Sequence, residues 1–342
     1  MKPYRGGLLL GIDTSCDDTA AAVVRGGREV LSSAVASQVD LHRRFGGVVP
    51  EIASRQHLVA ILPVVEQALE QARVRRDDLE GVAATYGPGL VGSLLVGFMA
   101  GKALALALDV PFVGVDHLEG HAASAWLVEP DLRGPVVVLV ASGGHTELLL
   151  AERPGRLRHL GGTRDDAAGE AFDKVGRLLG LGYPAGPIID RLSDKGRPDA
   201  VSLPRAMRGA DTLEFSFSGL KTAAVQHLLP AVDAGLPVED AAASVQQAIV
   251  EVLVEKLIKA AELTGARAVA VTGGVAANQG LRRAVERAAG ERGLQAVLPP
   301  PALCTDNGAM IAAAGHFRLL ESGPSPLELG VDPSARIGVG EG

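Results

Sequence analysis

The sequence predicts an α/β protein built from two copies of one structural unit, and three observations support this. Short apolar runs alternate with longer helical segments along most of the 342 residues. The same order of elements occurs twice: three strands with a polar turn after the first, then alternating helix and strand. The length exceeds one ordinary hydrophobic core and indicates two domains. This order is the ribonuclease H-like layout, and two such units facing a central cleft make the actin-like (ASKHA) fold.

The first copy contains five predicted strands and two long predicted helices. Apolar runs bounded by turn residues predict the strands at residues 8–13, 19–25, 30–38, 82–85 and 112–115. The helices are predicted at residues 50–72 and 90–108. The second helix comes closest to the roughly 20 apolar residues that cross a bilayer. It contains Ser93 and Lys102, so we predict a buried helix of a protein without membrane spans.

The second copy repeats the scheme with five more predicted strands. They are residues 136–141, 146–151, 157–160, 268–272 and 296–298. The predicted helices are residues 168–179, 188–195, 219–229, 241–264, 279–290 and 307–320. We predict an N-terminal domain of residues 1–115 plus 311–335. Residues 116–310 are then the C-terminal domain, which we expect to carry the metal and nucleotide site.

Composition restricts the classes of function. Hydrophobic residues make up 47% and charged residues 21%, which predicts a compact globular protein. The net charge of −7 argues against binding nucleic acid through bulk charge alone. Only two cysteines occur, which excludes a disulfide scaffold and favours a reducing, cytoplasmic location. The N-terminus also lacks the long apolar core of a secretory signal.

Three glycine- or acid-rich turns follow predicted strands and suit a nucleotide. The first, GIDTSCDDT, offers Asp13, Ser15 and Asp17 as a candidate phosphate and Mg²⁺ loop, because a cation between acids and phosphate removes their repulsion. The second is SGGH after residue 141, and the third is GGVAAN after residue 272. Each taken alone is also compatible with an ordinary turn. None matches a Walker loop or the GxGxxG fingerprint.

The stretch HLEGH places two histidines at i and i+4, which is typical of a shared metal site. On a helix, His117 and His121 project from one face about 5–6 Å apart. The zinc peptidase motif has its glutamate at i+1, whereas Glu119 lies at i+2, about 200° around the helix from His117. The peptidase interpretation therefore lacks its general base. Asp306 is a candidate third ligand, with a helix N-cap as its alternative role.

Nine motifs occur in the order that is characteristic of one family. They are GIDTSCDDT, GGVVPEIASRQH, GPGLVGSLLVG, DHLEGH, SGGHTE, DDAAGEAFDKVGRLLG, FSFSGLKT, GGVAAN and CTDNGAMIA. The chain resembles the bacterial TsaD family, tRNA N6-adenosine threonylcarbamoyltransferases formerly called Gcp or O-sialoglycoprotein endopeptidase, from about residue 8 to residue 320. It departs from the usual motifs at four positions, which are Asp13 and Asp18 in place of Glu, Ala141 in place of Val, and Ala185 in place of Gly.

The resemblance implies a metal-dependent transferase. Such an enzyme transfers the threonylcarbamoyl group from threonylcarbamoyl-adenylate to N6 of the adenosine next to the anticodon, in tRNAs that read ANN codons, and releases AMP. The resemblance implies that His117, His121 and Asp306 hold one divalent metal ion, Fe²⁺ in the usual description and Zn²⁺ as the alternative, with Mg²⁺ if ATP also binds. The implied substrate-binding residues are Val140, Ala141, Ser142, Gly143, Gly144, Asp173, Gly186, Asp190 and Asn278. No further catalytic residue is assigned.

The resemblance also implies macromolecular partners, and the sequence is compatible with other functions. The implied partners are tRNA, a homologous TsaB-like dimerisation protein and a TsaE-like ATPase. The arginine clusters at residues 43–44, 73–76, 205–208 and 282–283 are predicted to form a local tRNA track. The alternatives are a small-molecule O-carbamoyltransferase of the same fold, a zinc metallopeptidase and a catalytically inactive binding paralogue. The intact histidines, Asp306 and glycine loops argue against the last.

Overall fold

A computed structural model of the chain describes residues 3–337 and divides it into two compact units. The first unit contains the described residues up to Arg133, residues 152–158 and those from Thr305 onwards. The second unit contains residues 134–151 and 159–304. Our predicted boundaries, at residues 115/116 and 310/311, differ from this division. Residues 116–133 lie in the first unit, and the candidate metal ligands lie there with them.

The first unit is built on a five-stranded sheet of order β3-β2-β1-β4-β5. Its strands are β1 (Leu8–Asp13), β2 (Asp18–Arg25), β3 (Glu29–Ser37), β4 (Gly81–Gly87) and β5 (Phe112–Asp116). Its helices are α1 (Val39–Arg43), α2 (Pro50–Ala72), α3 (Val91–Leu108), α4 (His117–Val128) and, from the last part of the chain, α12 (Gly308–Glu321). A 3₁₀ turn occupies Arg76–Asp78. Helix α4 packs against α12, β4 and β5, which explains why it belongs to this unit.

The second unit has a five-stranded sheet of order β10-β9-β6-β7-β8. Its strands are β6 (Val136–Ala141), β7 (Thr146–Arg153), β8 (Arg156–Gly162), β9 (Ala268–Thr272) and β10 (Gln295–Val297). Its helices are α5 (Ala168–Leu178), α6 (Gly186–Ser193), α7 (Ser218–Ala223), α8 (Leu229–Asp233), α9 (Val238–Thr264), α10 (Gln279–Gly290) and α11 (Pro301–Cys304). A 3₁₀ turn, Gly274–Ala277, follows β9, and a π-helical turn, Ala224–Leu228, separates α7 from α8.

The predicted duplication is confirmed at the level of topology. In both sheets the first strand of the unit pairs antiparallel with the second and parallel with the fourth, so the two strand orders correspond position by position. The single helix predicted at residues 219–229 is wrong, because a π-helical turn interrupts it. Pro230 is the second residue of α8, which follows the π-helical turn directly. It has no N–H to donate to that turn, so the regular α-helical hydrogen-bond pattern cannot continue through it.

Helix α3 packs on the sheet with one face only, whereas we predicted a buried helix. It contacts β4, β5 and α2, and the buried Lys102 donates to the backbone carbonyls of Leu327 and Leu329. Among the described residues, α3 is the one helix long and apolar enough to cross a membrane by length and composition, and 39% of it is buried. Its other face leaves an apolar surface exposed beside α2.

Candidate functional site

The ends of three parallel strands bring the candidate metal ligands to one edge of the first sheet. β1 pairs in parallel with β4, and β4 with β5. Asp13 ends β1, Gly87 ends β4 and Asp116 ends β5. His117 follows Asp116 directly, so it lies at the carboxyl edge of the sheet, where ligands of α/β proteins commonly bind.

Helix α4 holds the two histidines on one buried face. The Asp116 side chain caps the helix, because its Oδ1 accepts from the backbone N–H of Leu118 at 2.8 Å and of Glu119 at 3.2 Å. His117 is 5% exposed and His121 is fully buried. Their ring centroids are 4.6 Å apart. The predicted i, i+4 juxtaposition of the rings is therefore present.

Asp306 reaches the same point from the start of α12. Its Oδ1 lies 3.5 Å from His117 Nε2 and 3.2 Å from His121 Nε2. One ligand atom from each of these three residues lies within 4.8 Å of the others. The neighbouring Asn307 caps α12, because its Oδ1 accepts from Met310 N at 2.9 Å. The N-cap role that was the alternative for Asp306 thus belongs to Asn307.

Close packing of α12 on the sheet brings Asp306 within reach of the histidines. A Cβ atom at Gly11 of β1 would lie 2.2 Å from the carbonyl oxygen of Gly308 and 2.4 Å from the backbone nitrogen of Ala312. No other residue type fits there, because backbone atoms cannot move aside as a side chain can. The glycine that opens GIDTSCDDT therefore has a packing role, which our phosphate-loop interpretation did not include.

The electrostatics of this cluster favour a bound cation. Burial lowers the pKa of His117, but the carboxylates of Asp306 and Asp13 outweigh burial and raise the pKa to about 9. Burial lowers the pKa of His121, although Asp306 opposes that shift. Burial also raises the pKa of Asp18 to about 7, and nearby carboxylates add to the rise. Several carboxyl groups, including Asp13, Asp18 and Asp306, thus lie close together without enough positive charge to neutralise them.

The donor set fits iron or zinc. Both ring nitrogens of His121 are buried, and neither has a hydrogen-bond partner among residues 3–337, although Asp306 lies within ionic contact of Nε2. Buried polar atoms of this kind require a partner. Two imidazole nitrogens and one carboxylate oxygen suit Fe²⁺ or Zn²⁺ and leave coordination positions open. The residues therefore fit the divalent metal that the family resemblance implies.

Glu119 is directed away from the metal ligands, as its position in HLEGH predicts. Its Oε2 accepts from Arg318 Nη1 of α12 at 2.9 Å. Glu119 is 7% exposed. Burial raises its pKa to about 7, although Arg318 opposes that shift. A carboxylate held by an arginine cannot activate a water molecule at the histidines, so the site has no peptidase base at this position.

The first loop places its acids at different depths. Asp13 is fully buried and Ser15 is 2% exposed. Ser15 Oγ donates to Asp13 Oδ2 at 3.2 Å, and Thr85 Oγ1 donates to Asp13 Oδ1 at 2.6 Å. Asp17 is partly exposed. Of the three residues of the candidate phosphate and Mg²⁺ loop, Asp17 is thus the one whose side chain reaches the surface.

The glycine loops of the second unit meet at the edge of its sheet. β6 and β9 are parallel with Val140 beside Thr272, so SGGH and GGVAAN leave the sheet together. Gly273 has φ +87°, and a Cβ atom there would lie 2.3 Å from the carbonyl oxygen of Ala141. Gly143 and Gly144 face open space. These contacts bring the two loops into direct apposition.

The backbone amides of SGGH are only partly available to a ligand. The N–H of Ser142 donates to His145 O at 2.8 Å, and the N–H of Gly144 donates to Ser142 Oγ at 3.3 Å. Within the described part of the chain, the N–H of Gly143 has no hydrogen-bond partner. The hairpin geometry therefore engages two of the three amides of Ser142, Gly143 and Gly144.

The other predicted substrate residues of this unit surround α6. Asp173 Oδ1 accepts from Ala185 N at 2.7 Å, next to Gly186, and burial raises its pKa. Asp190 accepts from the backbone N–H groups of Gln279 at 3.0 Å and Gly280 at 3.3 Å, which places it beside Asn278. Both carboxylates remain partly exposed and have further lone pairs for ligand hydroxyls.

Three residues that are not among the predicted site residues support the candidate loops, two in the second unit and one in the first. Gln246 Oε1 accepts from Asn278 Nδ2 at 2.6 Å. Asp165 accepts from the backbone N–H of Phe217 at 2.7 Å and of Ser218 at 3.1 Å. It therefore ties the motif DDAAGEAFDKVGRLLG to FSFSGLKT. Thr85 is the third, through its bond to Asp13. Thr85 could have been identified from the sequence, because it is a polar residue inside an otherwise apolar strand.

Comparison with known sequences gives one consistent result. Residues 29–313 match the TsaD family, described as tRNA N6-adenosine threonylcarbamoyltransferase. The chain is 54% identical to a protein of that name from Symbiobacterium thermophilum, over 99% of this chain and 100% of that protein. It is 50% identical to one from Desulfitobacterium hafniense, over 96% and 97% of the two chains.

Comparison with solved structures gives the fold. HypF from T. kodakarensis superposes with a TM-score of 0.62 at 16% identity, over 92% of this chain and 48% of HypF. An activator of 2-hydroxyisocaproyl-CoA dehydratase from Clostridium difficile, with bound ADPNP, gives 0.56 at 16% identity, over 92% and 96% of the chains. The predicted actin-like fold is confirmed by these similarities.

Proposed function

Because the chain belongs to the TsaD family of tRNA N6-adenosine threonylcarbamoyltransferases, we propose that it acts on threonylcarbamoyl-adenylate and tRNA. It transfers the threonylcarbamoyl group to N6 of the adenosine next to the anticodon in tRNAs that read ANN codons. The observation that carries this proposal is 54% identity over 99% of the chain. The convergence of His117, His121 and Asp306 adds support, because these residues belong to motifs of the family.

The reaction requires positioning more than strong base catalysis. The carbamoyl carbon is joined to the phosphate of AMP and is already activated. The N6 lone pair attacks that carbon, the C–N bond forms, the C–O bond to phosphate breaks, and AMP leaves with the electron pair. The N6 proton then passes to solvent. The contribution of the protein is to hold both reactants in line and to stabilise charge on the carbonyl and phosphate oxygens.

His117, His121 and Asp306 would hold the metal ion, with iron or zinc as the candidates. When bound there, a metal with open positions supplies Lewis-acid stabilisation to phosphate or carbamoyl oxygens. The buried rings and the carboxylate keep a fixed donor set, because α4 and α12 pack directly on the sheet.

The second unit would bind the nucleotide end of the donor. The N–H of Gly143, which has no partner among residues 3–337, and the hydroxyl of Ser142 suit a phosphate or the threonyl carboxylate. Asp173 and Asp190 can accept hydrogen bonds from ribose hydroxyls or from the threonyl amide. The side-chain amide of Asn278 donates through Nδ2 to Gln246 and accepts through Oδ1 from Leu281 N. Asn278 would therefore fix the conformation of the GGVAAN loop.

The arginine clusters give this chain little free positive charge for tRNA. Several members are paired with carboxylates: Arg43 with Asp40, Arg76 with Glu66, Arg205 with Glu251, Arg208 with Glu255, and Arg283 with Asp194. Arg282 donates to backbone carbonyl oxygens instead. With a net charge of −7, partner proteins would have to complete the tRNA-binding surface.

An apolar surface on α2 and α3 would receive the homologous TsaB-like partner. The two helices pack side by side. Their exposed apolar side chains, here called the α2–α3 face, are Leu58, Val59, Leu62, Val91, Leu95, Met99 and Leu106. Apolar patches of this kind mark protein interfaces. The TsaE-like ATPase would join the resulting assembly, and the tRNA would bind to it.

The proposed activity can be tested with defined components. The chain, its partners, threonylcarbamoyl-adenylate and unmodified tRNA are incubated, and nucleosides are measured by mass spectrometry. We expect threonylcarbamoyladenosine and AMP in equal amounts. Consumption of the adenylate with no modified nucleoside, while a proven member of the family makes the product under the same conditions, would refute the proposed activity.

Replacement of Leu62 by Glu should weaken binding of the TsaB-like partner by about tenfold or more, because a charge then lies at the centre of an apolar contact. The dissociation constant is measured by isothermal titration calorimetry. Leu62 is 68% exposed, and Leu263 of α9 is 66% exposed, so Leu263→Glu is a matched control. Equal affinities of the Leu62→Glu and Leu263→Glu variants would place the partner elsewhere.

A further inference from the structure

The side chain of Asp13 lies against His117 on the side opposite to Asp306. Asp13 Oδ1 is 3.5 Å from His117 Nδ1, and Asp306 Oδ1 is 3.5 Å from His117 Nε2. The two carboxylates therefore face the two ring nitrogens. Because Asp306 and His121 Nε2 lie on the Nε2 side, that nitrogen is the one directed to the metal centre. Nδ1 is the outer nitrogen.

Asp13 is itself held in place from two sides. Its side chain is fully buried at the end of β1. Thr85 Oγ1, in β4, donates to the same Oδ1 atom at 2.6 Å, and Ser15 Oγ donates to Oδ2 at 3.2 Å. Thr85 is 2% exposed. A buried carboxylate with two hydroxyl donors has one orientation, so it can impose an orientation on its neighbour.

We propose that Asp13 is a positioning residue that orients the His117 ring for metal binding through Nε2, with Thr85 fixing Asp13. Metal-bound histidines commonly donate their outer N–H to a carboxylate, which sets the tautomer and the direction of the ring. The inference rests on the metal site of the proposed function. It assigns Asp13 a role other than the phosphate and Mg²⁺ loop suggested by the sequence.

The two histidines then differ in their support. The outer nitrogen of His117 has the Asp13 carboxylate at 3.5 Å, whereas the outer nitrogen of His121 has no carboxylate in ionic contact among the residues that the structure describes. The orientation of His121 depends on packing and on Asp306 at Nε2, which His117 contacts as well. Loss of the Asp13 carboxylate should therefore affect the one histidine whose outer nitrogen has a carboxylate beside it in the described part of the chain.

The test measures Zn²⁺ affinity of the metal-free full chain by competition with a chelator. Asp13→Asn should weaken Zn²⁺ binding by about 10–100-fold. Thr85→Val should weaken it less, and Asp13→Glu should keep it near the parent value, because it restores the carboxylate. Asp240→Asn is the control, since Asp240 is a 5% exposed carboxylate of the second unit, bound to Arg197. Asp13→Asn with parental Zn²⁺ affinity would overturn the proposal.

Nitrogen-15 NMR of the Zn²⁺-loaded, histidine-labelled chain supplies a readout that a purely structural role would not change. We expect His117 to bind through Nε2 and to keep a slowly exchanging Nδ1–H in the parent. The same protein with Zn²⁺ on Nδ1 would contradict the proposal, even if the Asp13→Asn variant failed to fold. The His117→Ala variant distinguishes failure of the proposed metal site from failure of the proposed role of Asp13. If His117→Ala still binds Zn²⁺ at parental affinity, the proposed metal site is wrong. If His117→Ala loses Zn²⁺ affinity while Asp13→Asn keeps it, only the proposed role of Asp13 is refuted.

Discussion

The His117→Ala variant should lose its bound metal and, with it, about 10²–10³-fold of the transferase rate. Removal of one preorganised electrostatic stabiliser costs catalysis on this scale. His121→Ala and Asp306→Ala should behave alike, because each removes one of three donors whose ligand atoms lie within 4.8 Å of one another. Metal content is measured by elemental analysis of purified protein, and the rate by nucleoside mass spectrometry.

A matched control for these variants is His316→Gln. His316 is 7% exposed, close to the 5% of His117, and it lies in the same unit. Its Nδ1 contacts the hydroxyl of Tyr4 at 2.6 Å, so it has a structural partner and no metal. This variant should keep metal and rate. If all three ligand variants retained full metal content, the donor set would be wrong, whatever their activity.

The sequence could predict the fold because its signals are local. Most strands of both sheets are short apolar runs bounded by turn residues, and the order of those runs specifies the duplicated topology. The division into units depends instead on distant contacts. Helix α4 follows a strand of the first unit, and it stays there because α12 returns across the chain and packs on it. No local pattern around residue 116 reports that contact.

The sequence predicts which residues form the candidate site, but it predicts the orientations of their side chains less well. The spacing of His117 and His121 specifies a shared helix face, and the offset of Glu119 specifies that it points elsewhere, which its bond to Arg318 bears out. The burial of Asp13 depends on Thr85 in a neighbouring strand. A side chain at the end of a strand faces either side of the sheet until pairing fixes the register. The sequence therefore predicts Asp13 at the end of a strand but does not predict that its carboxylate is buried against His117.

Replacement of Arg318 by Met should destabilise the fold in a manner that depends on pH. Glu119 is 9% exposed at its side chain and Arg318 33%. Removal of one partner from a buried ion pair costs about 3–5 kcal/mol, and the partial exposure of Arg318 reduces the expected cost to about 2–3 kcal/mol. This loss applies where Glu119 is ionised.

The direction of the pH effect follows from the raised pKa of Glu119. In the folded parent, burial sets that pKa at about 7, above the ordinary 4.5. Between these values the folded state binds more protons than the unfolded state, so stability decreases as pH rises through this range and levels off above the folded pKa. Without Arg318 the folded pKa rises further, because the opposing positive charge is gone. The decrease then continues to higher pH.

The free energy of unfolding of Arg318→Met, measured by urea denaturation at pH 5 and pH 8, should therefore fall further below the parent at pH 8. At pH 5 the carboxyl group of Glu119 is neutral when folded and needs no counter-ion. The double variant Glu119→Gln, Arg318→Met is the control: it has no ionisable group at this position, so its stability difference from the parent should lack the growing penalty at high pH. An equal loss for Arg318→Met at both pH values would show that Arg318 stabilises α12 through packing of its side chain and that the charge of Glu119 needs no partner there.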